Sequence, residues 1–433
     1  MKRNLVTQLL LWKESSPRKP LLLDGARQVG KSHLIEVEFG KAFFNKTHKF
    51  DFRENPRLKE IFKESLLPKK ILRSLELEIG QKIDPQQDLI FFDEIGECQE
   101  AVDSLKYFAE KCSDFFICAS GSNIGLLNSF PVGKTYNLEL FPMSFYEFLL
   151  ASENQLLIEE YEAQSTLKKT HEKLWEFFLH YYFVGGMPEA VSAWFQGDHL
   201  IDKIKNVSKI HADLFVGYSR DFGKFGGKIN ALHIESVFKQ IPIRLQETHD
   251  DSVKRFQFKN IIENKSRYID LRGPIDWLEK SKLISKNHII TSAPSIPLGA
   301  NIKENIFKLF FFDVGLMCHS LGLTYQDIQN QEFSFKGFIA ENFVQNELRA
   351  KGIYPIYSWQ EGDAEIEFLL KIKNGEIIPL EVKSGKRTKA KSLKVYVEKY
   401  NPTIALKLVG SVGAGDKNKY VWPLYYAGFA DQL

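Results

Sequence analysis

Long apolar runs are missing from this chain of 433 residues. A membrane-spanning helix needs about 20 consecutive apolar residues, and the stretch from Phe307 to Met317 is already interrupted by Lys308 and Asp313. Cysteine is scarce as well: Cys98, Cys112, Cys118 and Cys318 show no C-x-x-C spacing and no histidine pair at zinc-finger distance. Neither a disulfide framework nor a structural zinc is therefore indicated, and a reducing cytoplasm suits the chain. Charge of one sign does not prevail, since 58 Lys and Arg stand against 55 Asp and Glu for a net charge of +3. Nucleic-acid binders carry a denser basic face, so only local patches could supply one. Repeats and low-complexity tracts are absent, and 44% hydrophobic with 26% charged residues marks a soluble, fully folding protein. The segment Met1 to Trp12 is broken by Thr7 and Gln8 and lacks a small-residue cleavage site, so it reads as an amphipathic helix rather than a signal peptide.

At roughly 100–200 residues per domain, the length predicts two or three domains, and we expect three. From Pro20 to about Phe141, short apolar runs alternate with helical stretches; Leu21-Leu23, Lys49-Phe52, Leu89-Phe92, Phe115-Ala119 and Tyr136-Leu140 read as strands of a parallel α/β sheet. From about Ser144 to Leu321 apolar residues recur at helical spacing, as in Leu174, Phe177, Phe178, Tyr181 and Tyr182. Within that region a helix over Pro274 to Lys282, a polar turn and a strand at Asn287-Thr291 form an order compatible with a winged helix. After Phe335 a helix near Gly337-Ala350 precedes two alternating strands around Asn374-Gly375, which marks a third domain. The expected divisions are 1–145, 146–325 and 326–433. Lys383 to Lys394 is the one marked basic run.

Gly25-Ala26-Arg27-Gln28-Val29-Gly30-Lys31-Ser32 fits the phosphate-binding pattern G-x-x-x-x-G-K-[ST] at every position, between a strand and a helix. Glycines let successive backbone N–H groups turn toward phosphate oxygens, and the following helix N-terminus adds its positive dipole end. The expected ligand is ATP with Mg²⁺, held by these residues and His33: Lys31 on the β/γ phosphates, Ser32 on the metal. Leu89 to Glu94 is a buried strand ending in two carboxylates. Asp93 is expected to help hold Mg²⁺, and Glu94 to orient and deprotonate the attacking water. The run Ser120-Gly121-Ser122-Asn123 follows a third strand. There a γ-phosphate sensor at Ser122 and a simple helix cap by Ser122 or Asn123 are equally open.

At this point the sequence resembles the AAA-type ATPases of bacteria and archaea that pair a P-loop domain with a C-terminal domain of uncharacterised function. Besides the two nucleotide motifs, the resemblance rests on Ala119-Ser122, Leu140-Phe145, Gly185-Glu189, Phe312-Leu316, Gly337-Asn342 and Pro379-Ser384. It implies a winged-helix segment in the middle and a fold like the PD-(D/E)XK nucleases at the end. Two departures stand out. Gly133-Lys134 replaces the usual Gly-Arg, leaving Arg220 as the other candidate for a phosphate-sensing arginine, against the plainer reading of a surface ion pair. Glu367 stands where that family usually has Asp.

In the C-terminal hairpin, Ile366, Phe368, Leu370, Leu380 and Val382 alternate with Glu365, Glu367, Glu381 and Lys383. A three-residue loop, Lys373-Asn374-Gly375 with Gly375 left-handed, pairs Glu367 with Glu381 and keeps each face uniform. Two glutamates placed opposite each other suggest a divalent cation between them. The resemblance implies that Glu367 and Glu381 hold it, with Lys383 beside a water and Glu341 joining from the preceding helix. Cutting and non-cutting versions of this domain both stay open. So do DNA and a protein as partners, and an oligomer; a membrane partner is not expected.

Overall fold

The computed structural model describes residues 2–127, 129–244, 255–331, 336–372, 375–385, 391–411 and 419–433. It divides into two compact units, Met1–Phe141 with Lys280–Lys282, and Pro142–Glu279 with Leu283–Leu433.

The first unit is built on a five-stranded parallel sheet, β1 (Leu21–Asp24), β2 (Lys46–Asp51), β3 (Asp88–Asp93), β4 (Phe116–Ser120) and β5 (Tyr136–Glu139), in the order β2-β3-β4-β1-β5. Its central strands, buried on both faces, are apolar without alternation, as Leu89-Ile90-Phe91-Phe92 shows. Phe50, Phe52, Phe62, Phe92 and Phe108 pack on one face, with ring centroids 5.3–6.2 Å apart. All five expected strands are present. The segment expected to be helical near the N-terminus is helical over Val6–Glu14 and buries Leu9 and Trp12.

The second unit combines helices, among them Phe145–Ala151, Lys168–Val184, Pro188–Gln196 and Leu200–Arg244, with a seven-stranded mixed sheet. Its strands are β6 (Ile284–Ile290), β7 (Phe307–Phe311), β8 (Tyr357–Glu361), β9 (Ala364–Lys371), β10 (Ile377–Lys383), β11 (Ala405–Val409) and β12 (Lys419–Pro423), in the order β12-β11-β10-β9-β8-β6-β7. The helix–strand order expected after Pro274 exists as helix Tyr268–Lys280 followed by β6. However, β6 pairs in parallel with β8, so the β6-β7 hairpin extends the C-terminal sheet instead of standing as a separate wing. The division expected at 325/326 therefore falls inside one sheet, with strands contributed from both sides.

Three of the stretches that carry the resemblance meet at one backbone knot in this unit. Met143 N–H donates to Gly186 O at 2.7 Å, Tyr181 Oη donates to Met143 O at 2.5 Å, and Gly186 N–H donates to Asp313 Oδ2 at 2.6 Å. Asp313 also caps the helix Val314–Ser320 by accepting from Leu316 N–H at 2.8 Å. A methyl group on Gly186 would lie 2.1 Å from Met143 O, and one on Gly185, whose φ is +69°, would lie 2.2 Å from Asp313 Oδ1. Gly186 is thus demanded by close backbone approach, and Gly185 by its positive φ and the Asp313 carboxylate against it. Gly186→Ala is expected to destabilise the second unit by more than about 2 kcal/mol, since backbone cannot yield as a side chain does; an unchanged denaturation midpoint would contradict this packing.

Two carboxyl groups are buried beside that core. Desolvation raises Asp313 to about 6, against the opposing N–H donors of Leu316, Gly186 and Gly315. It raises Glu347 to about 7, although Glu347 accepts from Phe145 N–H at 2.8 Å. Both lie above the unfolded carboxylate range near ~4, so the folded chain holds protons that the unfolded chain releases. This contribution is complete at low pH and is lost as pH rises through the two folded values. Stability is expected to fall between about pH 4 and pH 7, and Glu347→Gln, which keeps an acceptor without a charge, should flatten the upper part of that slope. Chemical denaturation across pH checks it; an identical slope in the variant would remove Glu347 as the cause.

Candidate functional site

The parallel register sets the site. Leu23 lies beside Ser120 and Phe92 beside Ala119, so β1, β4 and β3 end together at one sheet edge. This is where a doubly wound sheet binds ligands. After β1 the chain turns through Gly25, Gln28 and Gly30 with φ values of 154°, 66° and 94°, then enters a helical stretch. That stretch is α-helical over Lys31–His33 and Lys41–Phe43, with a wider π-type turn over Leu34–Gly40. A side chain at Gly25 would meet Leu140 O at 2.3 Å, so only glycine fits.

Lys31 is 7% exposed, and its Nζ donates to Gly25 O at 2.9 Å and Ala26 O at 2.8 Å. Desolvation lowers its pKa to about 8, opposed by the nearby charges of Glu94, Asp24 and Asp93. Lys31 and the two carboxylates expected to act with it are therefore within electrostatic reach of one another. Ser32 is half-buried, while His33 is exposed and lies 3.8 Å from Glu38. The loop is braced from the N-terminus: Arg3 donates to Val29 O at 2.9 Å and to Phe141 O at 2.6 Å.

Asp93 is buried and held by three donors, Ser120 Oγ at 2.5 Å, Lys49 Nζ at 3.0 Å and Glu94 N–H at 3.1 Å. Lys49 sits on β2, which pairs with β3, and also faces Asp51 at 3.5 Å. Glu94 adopts a left-handed backbone, φ 51° and ψ 42°, a strained state that tends to mark functional positions. Its carboxylate is 3.4 Å from Arg53, which also reaches Glu97 at 3.1 Å. Arg3, Lys49, Arg53 and Ser120 went unnoticed in the sequence because each acts through a neighbour remote in the chain. Of these, Ser120 alone lies in a stretch that the sequence offers as part of the site, Ser120-Gly121-Ser122-Asn123.

The short 3₁₀ turn Ile124–Leu126 has Asn123 at its start and no side-chain cap, and the polar contact of this stretch with Asp93 comes from Ser120, not Ser122. Lys134, at the expected Gly-Arg position, pairs with Glu110 at 2.8 Å. Arg220 is exposed on the Leu200–Arg244 helix of the second unit. In the helix–strand segment after Pro274, Lys280 is exposed, whereas Lys282 lies 3.0 Å from Glu139 and 3.7 Å from Asp24, and Lys286 lies 3.1 Å from Glu279 and 3.4 Å from Asp276. Both are already neutralised.

The C-terminal carboxylates do gather. β9 and β10 pair with Phe368 opposite Leu380 and Leu369 opposite Pro379, the expected register, and Gly375 has φ +89° as the three-residue loop requires. Lys373 and Asn374 of that loop lie outside the described residues, as does part of the basic run from Lys383 to Lys394. Glu341, Glu367 and Glu381 are each at most 3% exposed, and Lys383 lies 3.0 Å from Glu381 and 3.8 Å from Glu367. Among the described residues no group of three or more His, Cys, Asp or Glu is arranged to hold a metal ion.

Residues 17–149 match a family model described as an AAA domain. Residues 176–327 and 336–424 match two further models, each described as a domain of unknown function. No curated protein matches the chain. Among solved structures, one titled "Structure of C. elegans PCH-2" is similar over 47% of this chain and 66% of that chain, just under two thirds, with 10% identity and a TM-score of 0.28. Residues 17–149 thus resemble an AAA domain, and the P-loop pattern Gly25–Ser32 lies inside that match. Among the described residues no helix is long and apolar enough to cross a membrane.

Lys31→Ala is expected to abolish ATP binding, because the main positive charge facing the β/γ phosphates is removed. Since burial holds Lys31 at about 8, and phosphate charge would push it upward, ATP binding near that pH should take up a fraction of a proton, and almost none well below it. Calorimetry in buffers of different ionisation enthalpy reads this directly; equal proton uptake at both pH values would contradict it.

Proposed function

We propose that this protein is an ATPase of the AAA type, which binds Mg-ATP at the Gly25–Ser32 loop and hydrolyses it with Glu94. The observation that carries this reading is the shared sheet edge, with Lys31 in the electrostatic field of Asp93 and Glu94. The donor set fits a magnesium nucleotide: a glycine cradle, Ser32 following the buried Lys31 in the chain, and the Asp93 carboxylate oriented by three donors. Mg²⁺, when bound with the nucleotide, supplies charge neutralisation on the phosphates.

In this reading the backbone N–H groups from Ala26 to Ser32 bind the phosphates, and Lys31 exchanges its carbonyl acceptors for phosphate oxygens. Asp93 and Ser32 are the residues that would hold the metal. Glu94 orients water and takes its proton, and Arg53, paired with it, acts as a positioning residue. The nucleotide state is coupled to the helical region and to a C-terminal domain with a nuclease-like arrangement of strands. A protein that grips or cuts DNA under ATP control is the alternative, and a switch in a protein contact is the third reading. The neutralised Lys282 and Lys286 weigh against DNA contact at the Tyr268–Ile290 segment.

Glu94→Gln is expected to keep ATP bound while turnover falls roughly 10²-fold or more, the scale of losing a general base. Unchanged turnover would place the base on another residue. The wild-type rate measured alone and with single-stranded DNA, duplex DNA and RNA separates the readings. Strong stimulation by one polymer selects nucleic acid, and a flat response favours a protein partner.

A further inference from the structure

The carboxylate cluster of the second unit contains a cation that the sequence motifs did not point to. Lys308, on β7, is 1% exposed. Its Nζ lies 3.1 Å from Glu341 Oε2 and makes a still closer ion pair with Glu365, and Glu367 adds to its field. All these charges favour the ammonium form, and despite burial its pKa is raised rather than lowered. Lys383 serves Glu381 and Glu367 from the other side, and Lys407 feels Glu381. Val382 N–H donates to Glu367 Oε2 at 3.1 Å. Glu381 Oε2 is buried without a hydrogen-bond partner, and Glu365 Oε1 is buried with its ion pair to Lys308.

Two occupants could balance four clustered glutamates. A divalent metal needs about six oxygens at about 2.0–2.6 Å, with carboxylates free to close on it. Here each of the four carboxylates already lies within ion-pair range of an ammonium group, Glu341 and Glu365 of Lys308, and Glu381 and Glu367 of Lys383. Two positive centres cannot share the same carboxylate oxygens in a low-dielectric interior without strong repulsion. We infer that Lys308 is the resident cation of this cluster, standing in place of a divalent metal, so that the Glu341–Glu365–Glu367–Glu381 group is not a metal centre and does not cut nucleic acid. Lys308 belongs to the β6-β7 hairpin, outside the segment 336–424, so the segment that carries the glutamates receives its counter-ion from the strand pair that widens its sheet. This inference does not depend on the ATPase reading.

The test is Mn²⁺ binding by the full chain without nucleotide, with free Mn²⁺ read by electron paramagnetic resonance. The wild type is expected to bind no Mn²⁺ that Glu381→Gln removes. Lys308→Met, which keeps the stem and deletes the charge, is expected to bind one Mn²⁺, lost again in the double variant with Glu381→Gln, and to gain thermal stability in millimolar Mn²⁺ relative to chelator. Wild-type binding abolished by Glu381→Gln would overturn the inference, and so would a folded Lys308→Met that binds no Mn²⁺. Should Lys308→Met not fold alone, refolding that requires Mn²⁺ supports it, and Lys308→Gln repeats the binding measurement. Wild-type Mn²⁺ binding that Glu381→Gln abolishes overturns the inference even where neither Lys308 variant folds.

Discussion

The nucleotide site depends on the parallel register that sets Leu23 beside Ser120 and Phe92 beside Ala119. A slip of one residue would turn Asp93 away from Ser120 and reverse the faces of a strand buried throughout. Because β4 lies between β1 and β3, Ser120 sits between loop and carboxylate and can orient Asp93 directly. The phenylalanines beneath fix that register by packing, and Arg3 and Lys49 hold the edge from elements on either side. Sheet packing thus determines where charge can be placed, and the chemistry uses that placement.

Buried charge is handled in opposite ways in the two units. At the nucleotide site Lys31 is desolvated and held by backbone carbonyls that phosphate can outcompete, an arrangement ready for an anionic ligand. In the second unit Lys308 is tied to Glu341 and Glu365, and Asp313 is held by backbone donors, so these charges serve the fold. Burial of a charge is therefore a weak sign of function. What distinguishes the two cases is whether the partner could be exchanged for a ligand.

Much of this was legible in the sequence. The P-loop and the Asp93-Glu94 strand were readable because phosphate chemistry fixes residue types at short spacing. The β9-β10 register was readable because only one loop length keeps the apolar faces uniform. The strands β8, β11 and β12 were not foreseen, since short apolar runs carry no periodicity that decides between helix and strand. Lys308 looked like an interruption of an apolar run; its role appears only when β7 joins the sheet beside Glu341. The Gly185-Gly186 and Asp313 stretches marked a resemblance without revealing a role, because their role is contact with segments remote in the chain, which no single stretch discloses.

The central claim is that this edge is a magnesium-nucleotide site in which Asp93 serves the metal. Its most direct test is ATP affinity with and without Mg²⁺ in the wild type and in Asp93→Asn. The account predicts that Mg²⁺ tightens ATP binding by the wild type and that Asp93→Asn still binds ATP but loses that dependence. An equal Mg²⁺ effect in both proteins would contradict it.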